Sequence, residues 1–281
     1  MILVFGKSGQ VARELVRREP DARFLSRAEA DLAEPVSCAA AIRELRPKAV
    51  INAAAYTAVD RAEEEAALAT TVNGAAPGAM AGACAELAIP IVHISTDYVF
   101  DGSGETPFAP HAGLDPLGAY GRSKLAGEEA VRASGAAHAI LRTSWVFSSH
   151  GGNFVKTMLR LAHSRDRLSV VADQIGGPTP ASAIAHACLV IANALRLDPR
   201  KSGTYHFSGA PDVSWAGFAR EIFRQAGKPV TVEDIPSSAY PTPARRPLNS
   251  RLDCTSLSVF GLSRPDWRAG LAEALAELEA V

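Results

Sequence analysis

Short hydrophobic runs alternate with longer stretches of helical periodicity through the first 147 residues of the chain. The hydrophobic runs predict five strands, at residues 2–5, 22–25, 49–54, 89–95 and 139–144. Between them, stretches such as 10–18 and 67–87 repeat apolar residues at helical spacing. Strands that alternate with helices pair in parallel, and continuous apolar strands are typical of sheets buried on both faces. The pattern therefore predicts an α/β fold with a doubly wound parallel sheet.

The pattern becomes mixed after residue 150. The predicted elements are helices at 153–164, 182–196, 214–227 and 269–280, strands at 168–173 and 205–208, and a proline-rich loop at 237–253. No repeat or low-complexity linker separates the two parts. We therefore divide the chain into residues 1–150, to which later segments could return, and 151–281, a small mixed α/β lobe that would bind the substrate.

Composition narrows the classes of partner. Of 281 residues, 47% are hydrophobic and 21% are charged, and the net charge is −1, which argues against a nucleic acid partner. The longest apolar stretch, 183–195, is too short to span a bilayer, and a strand directly after Met1 leaves no room for a signal peptide. The four cysteines are widely spaced, as expected for reduced thiols. These features predict a cytoplasmic protein with no membrane or nucleic acid partner.

A glycine turn follows the first predicted strand directly. Gly6, Gly9 and Ala12 form the pattern GxxGxxA, a short relative of the dinucleotide-binding fingerprint. Gly6 permits the tight turn, Gly9 lets the backbone approach a pyrophosphate, and Ala12 lets the helix pack close to the sheet. A glycine turn without any ligand is the alternative. The position predicts a Rossmann-type sheet that binds a nicotinamide dinucleotide.

The end of the second strand bears on the choice of cofactor. Ser26 and Arg27 offer a hydroxyl and a cation that suit the 2′-phosphate of NADPH. Glu29 and Asp31 follow closely, so Arg27 could instead be a solvated surface residue. The sequence favours NADPH and leaves NADH as an alternative.

Polar residues that suit carbonyl reduction follow the fourth strand. Ser95, Thr96, Asp97 and Tyr98 would lie at its carboxyl end, where open α/β sheets bind ligands. Tyr120 and Lys124 are four residues apart on a predicted helix and so share one face. A lysine near a phenol lowers the phenol's pKa, and such a tyrosine can protonate a carbonyl oxygen. An ordinary amphipathic helix is the alternative explanation for the pair.

These features together resemble the extended short-chain dehydrogenase/reductases, and most closely the dTDP-4-dehydrorhamnose reductase family. The similarity covers essentially the whole chain, through blocks such as FGKSGQVARELV, VNGAAPGAMA, HISTDYVFDG, PLGAYGRSKLAGEE and VVADQIGGPT. The resemblance implies NADPH- or NADH-dependent reduction of the C4 keto group of dTDP-4-dehydro-L-rhamnose to dTDP-L-rhamnose. It also implies that Thr96, Tyr120 and Lys124 are catalytic, with Tyr120 as the general acid and Lys124 also on the nicotinamide ribose.

The resemblance implies roles for further positions. The cofactor-binding residues would be Gly6, Ser8, Gly9, Gln10, Val11, Ser26, Arg27, Asp31, Leu32, Ala53, Ala54, Ala55, Tyr56, Thr57, Tyr120 and Lys124. The substrate-binding residues would be Val59, Thr96, Asp97, Tyr98, Trp145, Asn153, Gln174, Arg245 and Arg246. The indole of Trp145 suits the apolar face of a deoxysugar, with core packing as the alternative. The paired arginines suit a pyrophosphate, with an exposed basic loop as the alternative.

One departure from the family concerns a metal. Some members dimerise through a Mg²⁺ site built from glutamates, and Glu14 matches one of these positions. The segment PASAIAHAC lacks the second carboxylate, and the last helix shows no clear third ligand. Because hard cations need several oxygen ligands, we expect no structural metal, and the sequence favours a monomer over a homodimer.

Two other functions remain open at the level of sequence. A nucleotide-sugar 4-epimerase shares the fold and the Tyr–Lys pair, and a non-catalytic regulatory subunit could keep the fold only to bind a partner. A 4,6-dehydratase commonly has Asp-Glu after the threonine, whereas here Asp97-Tyr98 follows Thr96. The intact set of Thr96, Tyr120 and Lys124 favours the reductase.

Overall fold

The computed structural model describes residues 1–279. The strands are β1 (Ile2–Phe5), β2 (Arg23–Leu25), β3 (Ala49–Asn52), β4 (Ile91–Thr96), β5 (His138–Thr143), β6 (Val146–Phe147), β7 (Arg167–Val171), β8 (Ile175–Gly176), β9 (Thr179–Pro180), β10 (Gly203–His206), β11 (Val213–Ser214), β12 (Thr231–Ile235) and β13 (Asn249–Ser250). The α-helices are α1 (Gln10–Arg18), α2 (Pro35–Leu45), α3 (Ala66–Thr70), α4 (Ala76–Glu86), α5 (Ala119–Ala133), α6 (Phe154–Leu161), α7 (Ala181–Leu197), α8 (Trp215–Gln225) and α9 (Trp267–Glu279).

The central sheet has six parallel strands in the order β10–β5–β4–β3–β1–β2. The strand order reverses between β1 and β3, and ligands of doubly wound sheets bind at the carboxyl ends of strands flanking such a point. The predicted Rossmann-type fold is confirmed. All five strands predicted in the first 147 residues belong to this sheet, with ends shifted by up to two residues.

Side-chain alternation along the strands divides the core into two layers. In β1, Ile2 and Val4 point into the layer that includes α1 and α7, whereas Leu3 and Phe5 point into the layer that includes α2 and α4. Both layers are mainly apolar, and the polar side chains on these strands, such as His93 and Arg142, are buried as well. Burial on both faces explains why the strands appear in the sequence as continuous hydrophobic runs.

A third apolar cluster lies among the elements that follow β5. It includes Phe147, Phe218 and Trp267, and it packs α6, α8 and α9 together with the parallel pair β7–β12. β10 and α7 come after residue 150 in the chain but belong to the central sheet and one of its core layers. The division of the chain at residue 150 stays a prediction. Within residues 1–279, no helix is both long and apolar enough to cross a membrane.

Candidate active site

The turn after β1 has the shape that a dinucleotide needs. Gly6 has a φ of +106°, and a Cβ there would lie 3.3 Å from the carbonyl carbon of Ala53 at the end of β3. Gly9 caps α1 with extended backbone and adds no side chain over the first turn of the helix. Ser8 is exposed at this turn, and Val11 is buried below it. Because a bare helix N-terminus favours a phosphate, these residues fit a bound dinucleotide.

The end of β2 combines both alternatives proposed for Arg27. Its Nε donates to Asp31 Oδ2 at 3.0 Å, yet its side chain is 78% exposed. Ser26 donates its N–H and its hydroxyl to Glu29, at 2.8 and 2.7 Å. The neighbouring Leu32 is buried. Arg27 is therefore oriented by an ion pair and remains accessible to a 2′-phosphate.

Asn73 holds the loop Ala53–Thr57 that was predicted to follow the cofactor. Its Oδ1 accepts the N–H of Tyr56 at 2.9 Å, and its Nδ2 donates to the carbonyl of Tyr56 at 3.0 Å. The same Nδ2 lies 2.9 Å from Ser123 Oγ on α5. Asn73 lies in a π-helical turn, Thr71–Ala75, a feature that is frequent at functional sites. Sequence reasoning missed Asn73 as a site residue, although the block VNGAAPGAMA contains it.

Thr96 and Asp97 lie at the carboxyl end of β4 and are both buried. Thr96 Oγ1 accepts the N–H of Tyr98 at 3.2 Å and lies 3.1 Å from Asp97 Oδ1. Asp97 Oδ2 is buried and has no hydrogen-bond partner among the described residues. Burial raises the pKa of Asp97 to about 6, although hydroxyl contacts from Ser250 and Thr96 act in the opposite direction.

Two close contacts place α5 beside this strand end. A Cβ on Gly121 would lie 2.2 Å from the carbonyl oxygen of Tyr98, so only glycine permits this approach. Glu63 Oε1 accepts the N–H of Ala119 at 2.8 Å and so satisfies the first turn of the helix. As a result, the rings of Tyr98 and Tyr120 meet edge to face with centroids 5.5 Å apart.

The electrostatic environment of Tyr120 differs from the sequence expectation. Burial and, to a smaller extent, the Asp97 carboxylate raise its pKa to about 12, although a hydrogen bond with Thr96 acts in the opposite direction. The expected lowering of this pKa by Lys124 is therefore wrong for this arrangement. At its ordinary pKa of 10 and at the raised value alike, the phenol is protonated near neutral pH, as a proton donor requires.

Lys124 is almost fully buried and its bonds lead away from the phenol. Its Nζ donates to the carbonyl of Ile94 at 2.7 Å and lies 3.4 Å from Nε2 of the buried His93. Burial lowers the pKa of Lys124 to about 8, and Glu128 on the next turn of α5 raises it in part. The sequence identified Lys124 but not His93.

Trp145 lies in an aromatic stack next to the proline-rich loop. Its indole covers Trp215 with ring centroids 3.6 Å and planes 12° apart. A Cβ on Gly176 would lie 2.9 Å from the Trp145 ring. Gln174 accepts the Trp215 indole N–H at 3.1 Å and donates to Ser237 Oγ at 2.9 Å. One face of Trp145 is thus occupied by Trp215, and the residue as a whole is only partly buried.

Asn153 lies beside the glycine turn, where sequence reasoning did not expect it. Its Oδ1 caps α6 by accepting the N–H of Lys156, and its Nδ2 donates to Gln10 Oε1 at 2.9 Å and to the Ser148 carbonyl at 2.8 Å. These bonds connect α6 to the start of α1. A role for Asn153 in binding the nucleotide of the substrate stays a prediction.

The two arginines of the proline-rich loop differ in their environment. Arg246 forms two hydrogen bonds with the Asp60 carboxylate, at 2.7 and 2.8 Å, and also contacts Thr242. Arg245 is exposed. Asp60 follows Val59 in the loop after β3, so Arg246 joins that loop to the proline-rich loop. Of the two candidates for pyrophosphate binding, Arg245 is the one without this internal role.

Three side chains that could hold a metal meet between α1, the segment before α6, and α9. Ligand atoms of Glu14, His150 and Glu277 all lie within 4.8 Å of one another. The sequence predicted no third ligand on the last helix, but Glu277 of α9 lies there. Arg17 donates to Glu277 at 2.6 Å and lies 3.6 Å from Glu14, and Ser149 also donates to Glu277. The Arg17 guanidinium already pairs with both carboxylates and offsets one of their two negative charges, so a hard cation would have to displace it.

Comparison with known proteins gives one consistent family. Residues 1–280 match the family model described as the RmlD substrate binding domain. A dTDP-4-dehydrorhamnose reductase of Sinorhizobium fredii is 45% identical over 276 residues, which cover 95% of this chain and 93% of that protein. A crystal structure of a dTDP-4-dehydrorhamnose reductase from Clostridium acetobutylicum has a TM-score of 0.91 and 35% identity, with 99% of each chain covered. The corresponding enzyme of Bacillus anthracis, in complex with NADP, has a TM-score of 0.90 and 34% identity, with 98% of each chain covered.

Proposed function

The chain belongs to the RmlD substrate-binding-domain family and is a member of the dTDP-4-dehydrorhamnose reductases, and on this premise we propose how its residues serve the reaction. It is an NADPH-dependent oxidoreductase that reduces the C4 keto group of dTDP-4-dehydro-L-rhamnose to dTDP-L-rhamnose. The observation that carries this function is 45% identity over 95% of the chain, together with a glycine turn that fits a dinucleotide.

The glycine turn and the β2 end serve the cofactor. The N–H groups at the start of α1 would hold the pyrophosphate, and the exposed Arg27 would bind the 2′-phosphate. Bound NADPH supplies the hydride that reduces the C4 carbon. Asn73 fixes the loop Ala53–Thr57 against α5 through Tyr56 and Ser123, so that the cofactor loop and the catalytic helix keep one geometry.

Tyr120 is the general acid of the proposed mechanism. Its phenol is protonated near neutral pH, and it gives that proton to the oxygen on C4. The hydroxyl of Thr96 donates a second hydrogen bond to the same oxygen and stabilises its developing negative charge. Lys124 would hold the nicotinamide ribose of the bound cofactor by donating to its hydroxyls.

The substrate would lie between the carboxyl end of β4 and the elements that follow β5. Ser250, which pairs with Gly176 of β8, contacts the Asp97 carboxylate, and Gly176 packs on Trp145. This chain of contacts supports a sugar pocket between Asp97 and Trp145, with Val59 and Tyr98 at its border. The exposed Arg245 would bind the pyrophosphate, and Gln174 would keep the aromatic stack in place.

We also propose that the protein is a monomer without a structural metal and works in the cytoplasm. The ion pair of Arg17 with Glu277 supports a monomer without a metal, because it engages a carboxylate that a bridging cation would use. Four free, buried cysteines are in keeping with a reducing compartment. Sedimentation with Mg²⁺ and with a chelator tests the proposal, and a magnesium-dependent dimer would contradict it.

The decisive assay follows the absorbance of NADPH with freshly prepared dTDP-4-dehydro-L-rhamnose. Stoichiometric loss of that absorbance is expected, and parallel runs with NADH and the UDP analogue rank cofactor and carrier. A flat trace from protein that binds NADPH would contradict the reductase and favour an epimerase or a regulatory subunit.

A further inference from the structure

His93 is a buried histidine that the proposed mechanism does not use. It lies on β4 with no exposed surface, between Asn52 of β3 and Lys124 of α5. Its Nδ1 is 3.1 Å from Asn52 Nδ2, and its Nε2 is 3.4 Å from Lys124 Nζ. An imidazole in this position has one ring nitrogen toward a catalytic lysine and the other toward an amide.

The orientation of Asn52 determines which ring nitrogen carries the proton. Asn52 Oδ1 accepts the N–H of Ala54 at 3.2 Å, so the group that faces His93 Nδ1 is the amide NH₂. An NH₂ group only donates, and Nδ1 must therefore be the acceptor. Burial and the charge of Lys124 keep the pKa of His93 well below its usual value, so the ring is neutral. A neutral ring that accepts at Nδ1 carries its proton on Nε2, which faces Lys124.

The state of Lys124 follows from this tautomer. An ammonium group has no lone pair for the Nε2–H of His93, whereas a neutral amine can accept that N–H while it donates to the carbonyl of Ile94. We propose that His93 is a positioning residue for the reductase, oriented by Asn52, which holds Lys124 on the Ile94 carbonyl and makes its ammonium form easier to deprotonate. The proposal deepens the function proposed above and rests on it.

Other charged and titratable groups near Lys124 also influence its pKa. Glu128 raises the pKa of Lys124, but this carboxylate is shared with Arg142 and Arg132. Tyr120 lies one turn earlier on α5, and Asp97 follows the strand that carries His93. Burial is the largest cause of the lowered pKa, to about 8. An Nε2–H of His93 at 3.4 Å from Lys124 Nζ would act in the same direction. Lys124 would therefore lose its proton in the pH range where reductases are assayed.

The tautomer can be measured without any substrate. Long-range proton–nitrogen correlation spectra of histidine-labelled protein distinguish an imidazole protonated on Nε2 from one protonated on Nδ1. We expect His93 to carry its proton on Nε2, and a proton on Nδ1 would overturn the proposal. The spectrum does not depend on the reaction. A protein that fails to reduce the substrate would disprove the proposed function, whereas the spectrum alone would still decide the tautomer of His93.

Asn52→Asp changes the tautomer with almost no change in shape. A carboxylate accepts the Nδ1–H of His93, so that Nε2 becomes an acceptor for the Lys124 ammonium. In a plot of kcat against pH, we expect the loss of activity at high pH to move up by about one pH unit. The shift has two causes, the reversed hydrogen bond and the added negative charge. The effect of the charge alone is measured by the same substitution in a His93→Leu background. A shift that is largely lost in that background supports the proposal, whereas an undiminished shift overturns it.

His206→Gln is the matched control, because His206 is also fully buried and lies on another strand of the same sheet. We expect it to leave the loss of activity at high pH unchanged. A shift of this loss in the control variant equal to that of Asn52→Asp would show a general effect of core substitution and would overturn the proposal. If Asn52→Asp does not fold, the histidine spectrum of the unaltered protein decides alone.

Discussion

At the scale of single residues, burial raises the pKa of both Tyr120 and Asp97, with different consequences for the two groups. Both groups lose solvent at the carboxyl end of β4, and burial raises the pKa of each, to about 12 for Tyr120 and about 6 for Asp97. At this value the Tyr120 phenol is almost fully protonated near neutral pH. Asp97 stays charged near neutral pH at an energetic cost, with one carboxylate oxygen lacking any partner among the described residues.

Tyr120→Phe removes only the proposed proton donor. We expect turnover to fall on the order of 10²-fold or more, because general acid catalysis typically contributes that much. NADPH binding should persist, since the glycine turn lies elsewhere. Tyr205→Phe is the control, because its hydroxyl bonds the Lys201 carbonyl away from the cleft. Turnover of Tyr120→Phe close to that of the control would refute the assignment.

Asp97→Asn removes a buried charge, and its effect depends on pH. The carboxyl pKa is 3.8 in its ordinary state and about 6 in the fold, so the native protein keeps a proton that the unfolded chain releases. The contribution of Asp97 to native stability is therefore greatest below the lower value and is lost as pH rises through the higher one. We expect Asp97→Asn to be more stable at about pH 7, on the order of 1–3 kcal/mol, with no gain below about pH 4.

Urea unfolding at several pH values measures this difference. The exposed Asp21→Asn serves as the control and should change stability little at any pH. An Asp97→Asn variant that gains nothing at neutral pH would show that the carboxylate is better solvated than its burial indicates.

The sequence could predict the types of the site residues better than their partners. Thr96 and Tyr120 could be proposed from the sequence because the end of a strand and the spacing along a helix are local information. Arg246 was assigned to a pyrophosphate, but it pairs with Asp60, which lies 186 positions away in the chain. Asn73 and His93 carry no signal of their own in the sequence, because their roles arise only when separate elements bring their partners within hydrogen-bond distance.

At the scale of elements, α5 owes its position to glycines. A Cβ on Gly127 would lie 2.0 Å from the carbonyl oxygen of Asn73, and Gly121 contacts Tyr98 in the same way. Helix propensity alone would favour alanine at both positions. Close packing against the backbone outweighs that preference, so α5 is held at the distance that Tyr120 needs.

Gly127→Ala tests this packing. We expect the protein to lose about 1–3 kcal/mol of stability, because the helix must move away from Asn73, and to lose turnover with it. The matched control is Gly82→Ala on α4, where a Cβ meets no atom within 4 Å. That control should gain up to about 1 kcal/mol from helix propensity. Equal effects of the two substitutions on stability and turnover would refute the packing argument.

Periodicity predicted the elements of the central sheet well and the later strands poorly. The predicted helix at 182–196 corresponds to α7, which begins one residue earlier and ends one residue later. β12 was missed because its outward side chains are charged and its pairing with β7 is set by tertiary contact. The two-residue strands β6, β8, β9, β11 and β13 are too short to leave any pattern.

At the scale of the whole molecule, Asp60 and Arg246 connect two loops that are far apart in the chain. Asp60 belongs to the loop after β3, and Arg246 belongs to the proline-rich loop. The N–H of Ala244 also donates to Asp60 at 3.1 Å. The ion pair therefore fixes how far the proline-rich loop stands from the cofactor loop.

Asp60→Asn should loosen this connection. We expect the KM for the dTDP-sugar to rise several-fold with a smaller change in kcat, and a loss of stability of about 1 kcal/mol, in the range of partly exposed ion pairs. Glu86→Gln is the control, because it weakens the similarly bidentate pair with Arg43 on a surface away from the cleft. A control whose KM rises as much would show that the effect is not local.

The stacked indoles of Trp145 and Trp215 give this protein an optical signature of its own. They are two of its three tryptophans, and planes only 12° apart couple their electronic transitions. Trp267 is buried in the cluster under α9 and contributes a constant background. Near-ultraviolet circular dichroism should therefore contain an exciton signal from the pair. A sugar nucleotide that displaces either ring would change this signal, so that ligand entry could be followed without a chromogenic reagent and before any turnover occurs.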